Sequence, residues 1–295
     1  MRHGPLVFLA AFFALSASWF GFVLTPQVEL GRAAQETNAV MKAELYPLGR
    51  PGIARQGAEI YRANGCAYCH SQQVQQEGTL VSVVMTDAGT NTSALADYLN
   101  QLLPGRKYMG PSVGAGLPKV ILTNATIDDA AIFAKKLKSA GAASQFRLVP
   151  IGPDIERGWG ERRSVAQDFV MDATALPGSL RVGPDLSNEG NRHRDPNWQL
   201  VHLYNPAAVT PKSPMPAYRF LFTRKKIEFG KQASPDALQL TGEFKPDAEY
   251  EVVPTPEAKA LVAYLSSLRS DTPLYEAPIT PAAAPAAAST NAPTK

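Results

Sequence analysis

The sequence predicts a mainly α-helical protein with a single N-terminal transmembrane helix and a small α/β insertion. Three observations predict it. Residues 6–24, LVFLAAFFALSASWFGFVL, carry no charge, which is close to the roughly 20 residues that cross a bilayer as helix. Helix signals stand at 53–64, 195–206 and 255–270. Between the first two of these, residues 75–146 change to a strand–helix–strand pattern.

Taken in order, residues 1–28 form the anchor and its flank. Arg2 and His3 precede the apolar run, so the N-terminus is expected in the cytoplasm and the rest of the chain outside. A cleaved signal peptide, with Ser16 and Ser18 as its small residues, is the rival reading, but its apolar core spans about 7–15 residues and this run is longer. Residues 29–52 are a neck with scattered Pro and Gly. In IARQGAEIYRAN (53–64), Gly57 and Tyr61 share one helix face, and a glycine there lets a second helix come close.

In the insertion, SALADYLNQLL (93–103) has helical spacing and stops at Pro104-Gly105, KVILT (119–123) reads as a strand, and QFRLV (145–149) as a second. Between the strands, TIDDAAIFAKKLKSAGA (126–142) has Thr126 as cap, Asp128 and Asp129 in its first turn and Gly141 at its end. Residues 177–190 are loop around RVGPDLS, and DPNWQLVHLYNP (195–206) opens a helix with Asp195 as cap and Pro196 behind it. TPKSPMPAY (210–218) is too rich in proline for regular structure. Residues 225–253 suggest a hairpin of ALQLT with YEVVP. The helix at 255–270 has Thr255, Pro256 and Glu257 at its start and Leu261, Leu265 and Leu268 on one face. The tail, 271–295, is Ala/Pro-rich and too poor in large apolar residues to fold.

The chemistry is concentrated in GCAYCH, residues 65–70. Cys66 and Cys69 are the chain's two cysteines and His70 follows at once. Cys-x-x-Cys-His spacing reads as covalent haem attachment. Two thiols on one helical turn reach the two vinyl groups of a porphyrin, and the next residue projects its imidazole beneath the iron. A structural zinc site needs four ligands, and His193 and His202, nine positions apart, exceed the usual spacing of about three to five. A redox cysteine pair would want a thioredoxin-like context. With both cysteines in one motif, neither a structural disulfide nor a dinuclear copper site built on a cysteine pair is expected. The net charge of +3, without a basic run interleaved with aromatics, excludes nucleic acid as an expected partner.

A methionine in the sixth position makes a haem an electron carrier of raised potential, and an open position makes it a ligand binder. Met215 stands between Pro214 and Pro216, which hold the backbone extended and aim a weak thioether ligand. Met41, Met85, Met109 and Met171 are the other methionines in reach. His193 reads as exposed and His202 as a packed helix residue, while His3 lies on the wrong side of the membrane. In GPDL, the Pro184 carbonyl is free to accept the second N–H of His70. Arg181 is a candidate partner for a haem propionate. No catalytic residue is expected.

GAEIYRANGCAYCHSQ, VGPDL, NPAAVTPKSPMP and EAKALVAYLSSL resemble, in this order, the landmarks of class I cytochrome c. More specifically, YPLGRPGIARQGAEIYRANGCAYCHSQQV, DIERGWGERRSVAQDFVMD, VGPDLSNEGNRHRDPNWQLVHLYNP and PKSPMPAYRFLF resemble the monohaem subunit II of cbb(3)-type cytochrome c oxidases. The resemblance covers residues 1–74, 147–224 and 254–270. It implies a class I cytochrome c domain made of 53–74 and 147–270, interrupted by the insertion at 75–146. It also implies one covalently bound haem c, with thioethers from Cys66 and Cys69 and iron held by His70 and Met215. The place is the bacterial inner membrane, with lipid around the anchor and the haem domain on the periplasmic side. The role is that of a non-catalytic subunit passing electrons to the haem–copper catalytic subunit I, which reduces oxygen. Its donor would be another cytochrome c subunit or a soluble cytochrome.

The chain departs from the family pattern at 75–146 and is longer than it at 225–253. Part of the insertion, GLPKVILTNATIDDAAIFAKKLKSAGA, is similar to the C-terminal domain of ribosomal stalk proteins, a likeness of βα architecture. The cytochrome c subunit of a nitric oxide reductase shares the chemical features, and the CHSQ and HLYNP contexts separate the two. A haem-based ligand sensor needs an open sixth position, which Met215 argues against.

Overall fold

The computed structural model describes residues 3–32, 35–37, 45–50, 52–105 and 107–272. Arg2, Met41 and the tail beyond Thr272 lie outside the described residues. Near the N-terminus Gly4–Glu29 form a continuous helix, long and apolar enough to cross a membrane, and its apolar side chains are exposed. At 1.5 Å per residue it is about 39 Å long, enough for a hydrocarbon core of about 30 Å. Its turn Phe20–Leu24 is widened, and the Thr25 hydroxyl donates to the Phe20 carbonyl at 2.9 Å. Pro26 follows and has no N–H to continue the regular ladder.

The described chain divides into two compact units, Met1–Gln75 with Arg157–Pro273, and Gln76–Glu156. In the first unit the helices Ile53–Ala63 and Pro256–Ser267 cross where Gly57 sits. A Cβ at Gly57 would lie 1.9 Å from the Ala260 carbonyl oxygen, so a larger residue would force the helices apart. The rings of Tyr61 and Tyr264 meet beside this crossing at 5.3 Å. Around them Leu203, Leu221, Leu261 and Leu265 complete one core. The helix starts follow their local signals: the Thr255 hydroxyl accepts from Ala258 N–H at 3.3 Å, and Asp195 Oδ1 from Asn197 N–H at 2.9 Å.

The expected hairpin forms with a different partner. Tyr250–Pro254 pairs antiparallel with Phe222–Lys226, not with residues 237–241. Phe222 and Val252 are buried by this pairing. Leu238 and Leu240 enter the same core from a non-strand segment, with Leu238 N–H donating to the Val252 carbonyl at 2.8 Å.

The end of the neck is fastened to this unit by buried charge. Arg162 forks onto Asp168 at 2.7 and 2.9 Å, and the Tyr46 hydroxyl donates to the same carboxylate at 3.0 Å. Arg50 pairs with Asp172 nearby. Burial alone would raise the Asp168 pKa, but the hydrogen bonds and charge of Arg162 outweigh it and hold the carboxyl below its ordinary range.

The second unit is a three-stranded antiparallel sheet in the order Lys119–Ala125, Gly78–Asp87, Ala143–Ile151. The two outer strands run in the same direction, with the helix Ile127–Ser139 between them in sequence, so the unit is a β–α–β split by an antiparallel centre strand. That centre strand, GTLVSVVMTD, is an element absent from the sequence-based expectation. Val81, Val83 and Met85 on it form a core with Leu95, Leu99, Phe133 and Leu137 from the helices Thr92–Leu102 and Ile127–Ser139. The unit closes at Glu156, past the sequence-derived limit of 146, because the last strand runs to Ile151.

The second unit thus has its own core, and the first unit's chain ends approach each other: a Cβ at Gly160 would lie 2.7 Å from Val74 Cγ2. Replacing residues 77–156 with a short Gly/Ser linker is expected to leave the first unit folded. Circular dichroism and the haem absorption spectrum of the excised form check this, and loss of haem incorporation would show that the unit is integral.

Candidate haem site

The cysteine motif follows directly from the helix Ile53–Ala63. After Asn64 and Gly65 the chain makes a tight turn at Cys66–Tyr68, and His70 N–H donates back to the Cys66 carbonyl at 3.0 Å. This bond closes one turn and keeps Cys66, Cys69 and His70 together. Both cysteines are free thiols. Burial pushes the Cys66 thiol up to about 11, with the Tyr218 hydroxyl in reach of it.

His70 is held from the loop of residues 177–186. Its Nδ1 lies 2.9 Å from the Pro184 carbonyl. A carbonyl can only accept, so Nδ1 carries the hydrogen and Nε2 is left as the nitrogen with a free lone pair. Gly183 makes room for the ring: a Cβ there would lie 2.2 Å from His70 Cε1. The two loops are joined along their length, with Gly183 N–H donating to the Cys69 carbonyl at 2.9 Å and Leu186 N–H to the Ser71 carbonyl at 2.8 Å.

The residue that locks this joint is Asp185. It is fully buried. Its Oδ2 accepts from the Ser71 hydroxyl at 2.5 Å and from Gln73 N–H at 2.8 Å, and its Oδ1 from Ser187 N–H at 2.8 Å. Arg181 braces the same joint, donating to Ser71 Oγ at 2.9 Å and to the Gln73 carbonyl at 2.5 Å, 3.6 Å from Asp185 Oδ2. Sequence reasoning missed Asp185, Ser71 and Tyr218. The available signal was the one ionisable side chain in GPDL, set between a proline and a leucine.

Met215 is half-buried in its proline loop and packs on the same core cluster as Cys66. Its N–H donates to Ser213 Oγ at 3.2 Å, which ties down the loop. Of the other methionines, Met85 is in the core of the second unit, Met109 is 61% exposed in that unit, and Met171 is half-buried in the first. His193 and His202 lie on either hand of Trp198 in sequence and both pack on its ring, at 3.6 and 4.8 Å between centroids. Among the described residues no three His, Cys, Asp or Glu side chains converge as a metal-ion site. Two neighbouring thiols and one braced imidazole, cradled by a glycine that a side chain would displace, suit a haem.

Residues 143–242 match the family model described as cytochrome C oxidase, mono-heme subunit/FixO. Over that stretch, roughly a third of its length, the chain is similar to this mono-haem oxidase subunit family. The resemblance to subunit II of cbb(3)-type oxidases is borne out by that match. The matched segment holds the Pro184 loop, the helix Pro196–Tyr204 and Met215, while Cys66–His70 lies before it, on the far side of the second unit in sequence. No curated protein matches the chain.

Proposed function

We propose that the chain is a membrane-anchored c-type cytochrome subunit that relays electrons through one covalently bound haem c to the haem–copper subunit of an oxygen-reducing oxidase. The observation that carries this is the braced His70, with Nδ1 on the Pro184 carbonyl and Nε2 free beside Cys66 and Cys69. The family match supports the place in an oxidase complex. The apolar helix Gly4–Glu29 supports attachment to the inner membrane, and the charge rule supports a periplasmic haem domain.

In this reading the bound haem supplies a one-electron couple. Cys66 and Cys69 would hold the haem covalently, each thiol adding across one vinyl group as a thioether. His70, through Nε2, and Met215, through its thioether, would hold the iron. Pro184 and Gly183 fix the imidazole plane, and Arg181 and Asp185 hold the loop that does so.

The test is attachment. The purified chain should keep its haem through acid acetone extraction and give a c-type pyridine haemochrome. Cys66→Ala or Cys69→Ala should abolish the two-thioether spectrum and cut haem content. Free extraction of haem from the unaltered chain would refute the reading.

A further inference from the structure

The first unit contains a cavity of about 30 Å³ that haem attachment does not use. Distant stretches of chain meet at its wall. Arg50 comes from the end of the neck, Ser187 from just past the Asp185 clamp, and Thr272 from beyond the last helix.

Other polar groups on the wall are bonded to the protein. Arg162 Nε donates to the Thr272 carbonyl at 2.8 Å and its Nη2 to Asp168 at 2.7 Å. Gln72 Nε2 donates to the Tyr264 hydroxyl at 3.0 Å, and Ser164 Oγ accepts from Val74 N–H at 3.0 Å. Three groups are shut off from solvent and have no hydrogen-bond partner among the described residues: Arg50 Nε, Ser187 Oγ and Thr272 Oγ1. Thr272 is 2% exposed and the Arg50 side chain 10%. Each residue is held where it stands by another bond: Arg50 by its pair with Asp172, Ser187 by its N–H on Asp185 Oδ1 at 2.8 Å, and Thr272 by its carbonyl on Arg162.

A buried polar group left unbonded costs a folded chain more than a typical hydrogen bond returns, so this wall selects a polar guest. The cavity bounds its size. A water needs roughly 10–15 Å³ and about two to four polar partners, whereas organic ligands take pockets of about 300 Å³ or more. The wall bounds its charge. Arg50 is matched by Asp172, Arg162 by Asp168, and Arg269 by Asp271 at 2.7 Å. An ion here would give up its hydration without an unmatched charge to repay it.

We propose that the cavity is a binding site for buried water, which accepts from Arg50 Nε and bonds the Ser187 and Thr272 hydroxyls. The water joins the end of the neck to the loop that carries Asp185 and to the chain beyond the last helix. This inference goes beyond the haem reading and does not depend on it.

The experiment uses the full-length protein in detergent. A crystal structure at a resolution that shows ordered water should place solvent density within hydrogen-bond distance of Arg50 Nε, Ser187 Oγ and Thr272 Oγ1. No density there would overturn the proposal. Crystals soaked in bromide should show no anomalous peak in the cavity, and a bromide peak would make the guest an anion and overturn it equally. Stability gives an independent reading, because the sign of the effect differs. Thr272→Val keeps the side-chain shape and removes the hydroxyl. If that hydroxyl bonds water, the unfolding constant should rise about fivefold. If it bonds nothing, its loss should raise the denaturant midpoint, so an unchanged or raised midpoint would overturn the proposal. Ser187→Ala should also lower the midpoint. The double variant should lose less than the two single effects combined, because both hydroxyls serve the same water. Fully additive losses would overturn the bridge.

Discussion

Asp185→Ala should destabilise the haem unit by about 3–5 kcal/mol, the range for removing one partner from a buried charged network. The carboxylate is fully buried and collects the Ser71 hydroxyl, the Gln73 N–H and the Ser187 N–H, with Arg181 beside it. Alanine would leave these donors without an acceptor where water does not enter, and each such group costs about 1–3 kcal/mol. The loss falls on the joint that positions His70, so haem content should drop together with stability. Asp185→Asn should be intermediate, because an amide keeps one acceptor oxygen but turns an N–H toward donors. Asp195→Ala is the control: that carboxylate is an exposed helix cap, and its loss should cost about 1 kcal/mol. Denaturant midpoints of the three variants check this ranking. Equal midpoints for Asp185→Ala and Asp195→Ala would mean that the joint is held by its backbone bonds alone.

Met215→Ala should open the sixth iron position. The ferrous protein should then bind CO, and the weak near-infrared sulfur-to-iron band of the ferric protein should disappear. Thioether sulfur favours ferrous iron, so Met215→His should keep the iron low-spin and lower its potential. The Pro214 and Pro216 rings and the Ser213 contact hold the loop whatever residue stands at 215, so these changes should come without loss of fold. Substituting His202 should leave the band intact, because that ring packs on Trp198. An unchanged band in Met215→Ala would move the sixth ligand elsewhere, and Met171, half-buried in the same unit, would be next to test.

The second unit shows how far local pattern carries. Its helix Ile127–Ser139 starts where Thr126 and the acidic first turn put it, with the Thr126 hydroxyl accepting from Asp129 N–H at 3.1 Å. Its sheet was less legible. GTLVSVVMTD is apolar on both faces over much of its length, a pattern that does not separate strand from buried helix. It is a strand because two other strands flank it, one on each edge. The pairing of Tyr250–Pro254 was misread for a related reason. ALQLT lies nearer in sequence and alternates, but FTRKK brings Phe222 into the core and sets Arg224 over the Tyr250 ring at 4.1 Å.

The sequence by itself determined what depends on neighbours a few residues apart. The uncharged N-terminal helix, the capped helices at 196–204 and 256–267, and the placing of two thiols and an imidazole on one turn all follow from chain geometry at short range. The tertiary structure alone decided which atom of His70 is free. That depends on the Pro184 carbonyl and the gap at Gly183, more than a hundred residues away. It also decided that Asp185 is a buried clamp and not a surface charge, and that Arg181 braces Ser71 and Gln73. A polar side chain carries no mark in sequence of whether its partners will come to it. Burial removes the water that would otherwise bond it, and only the folded loops supply the donors and acceptors that take its place.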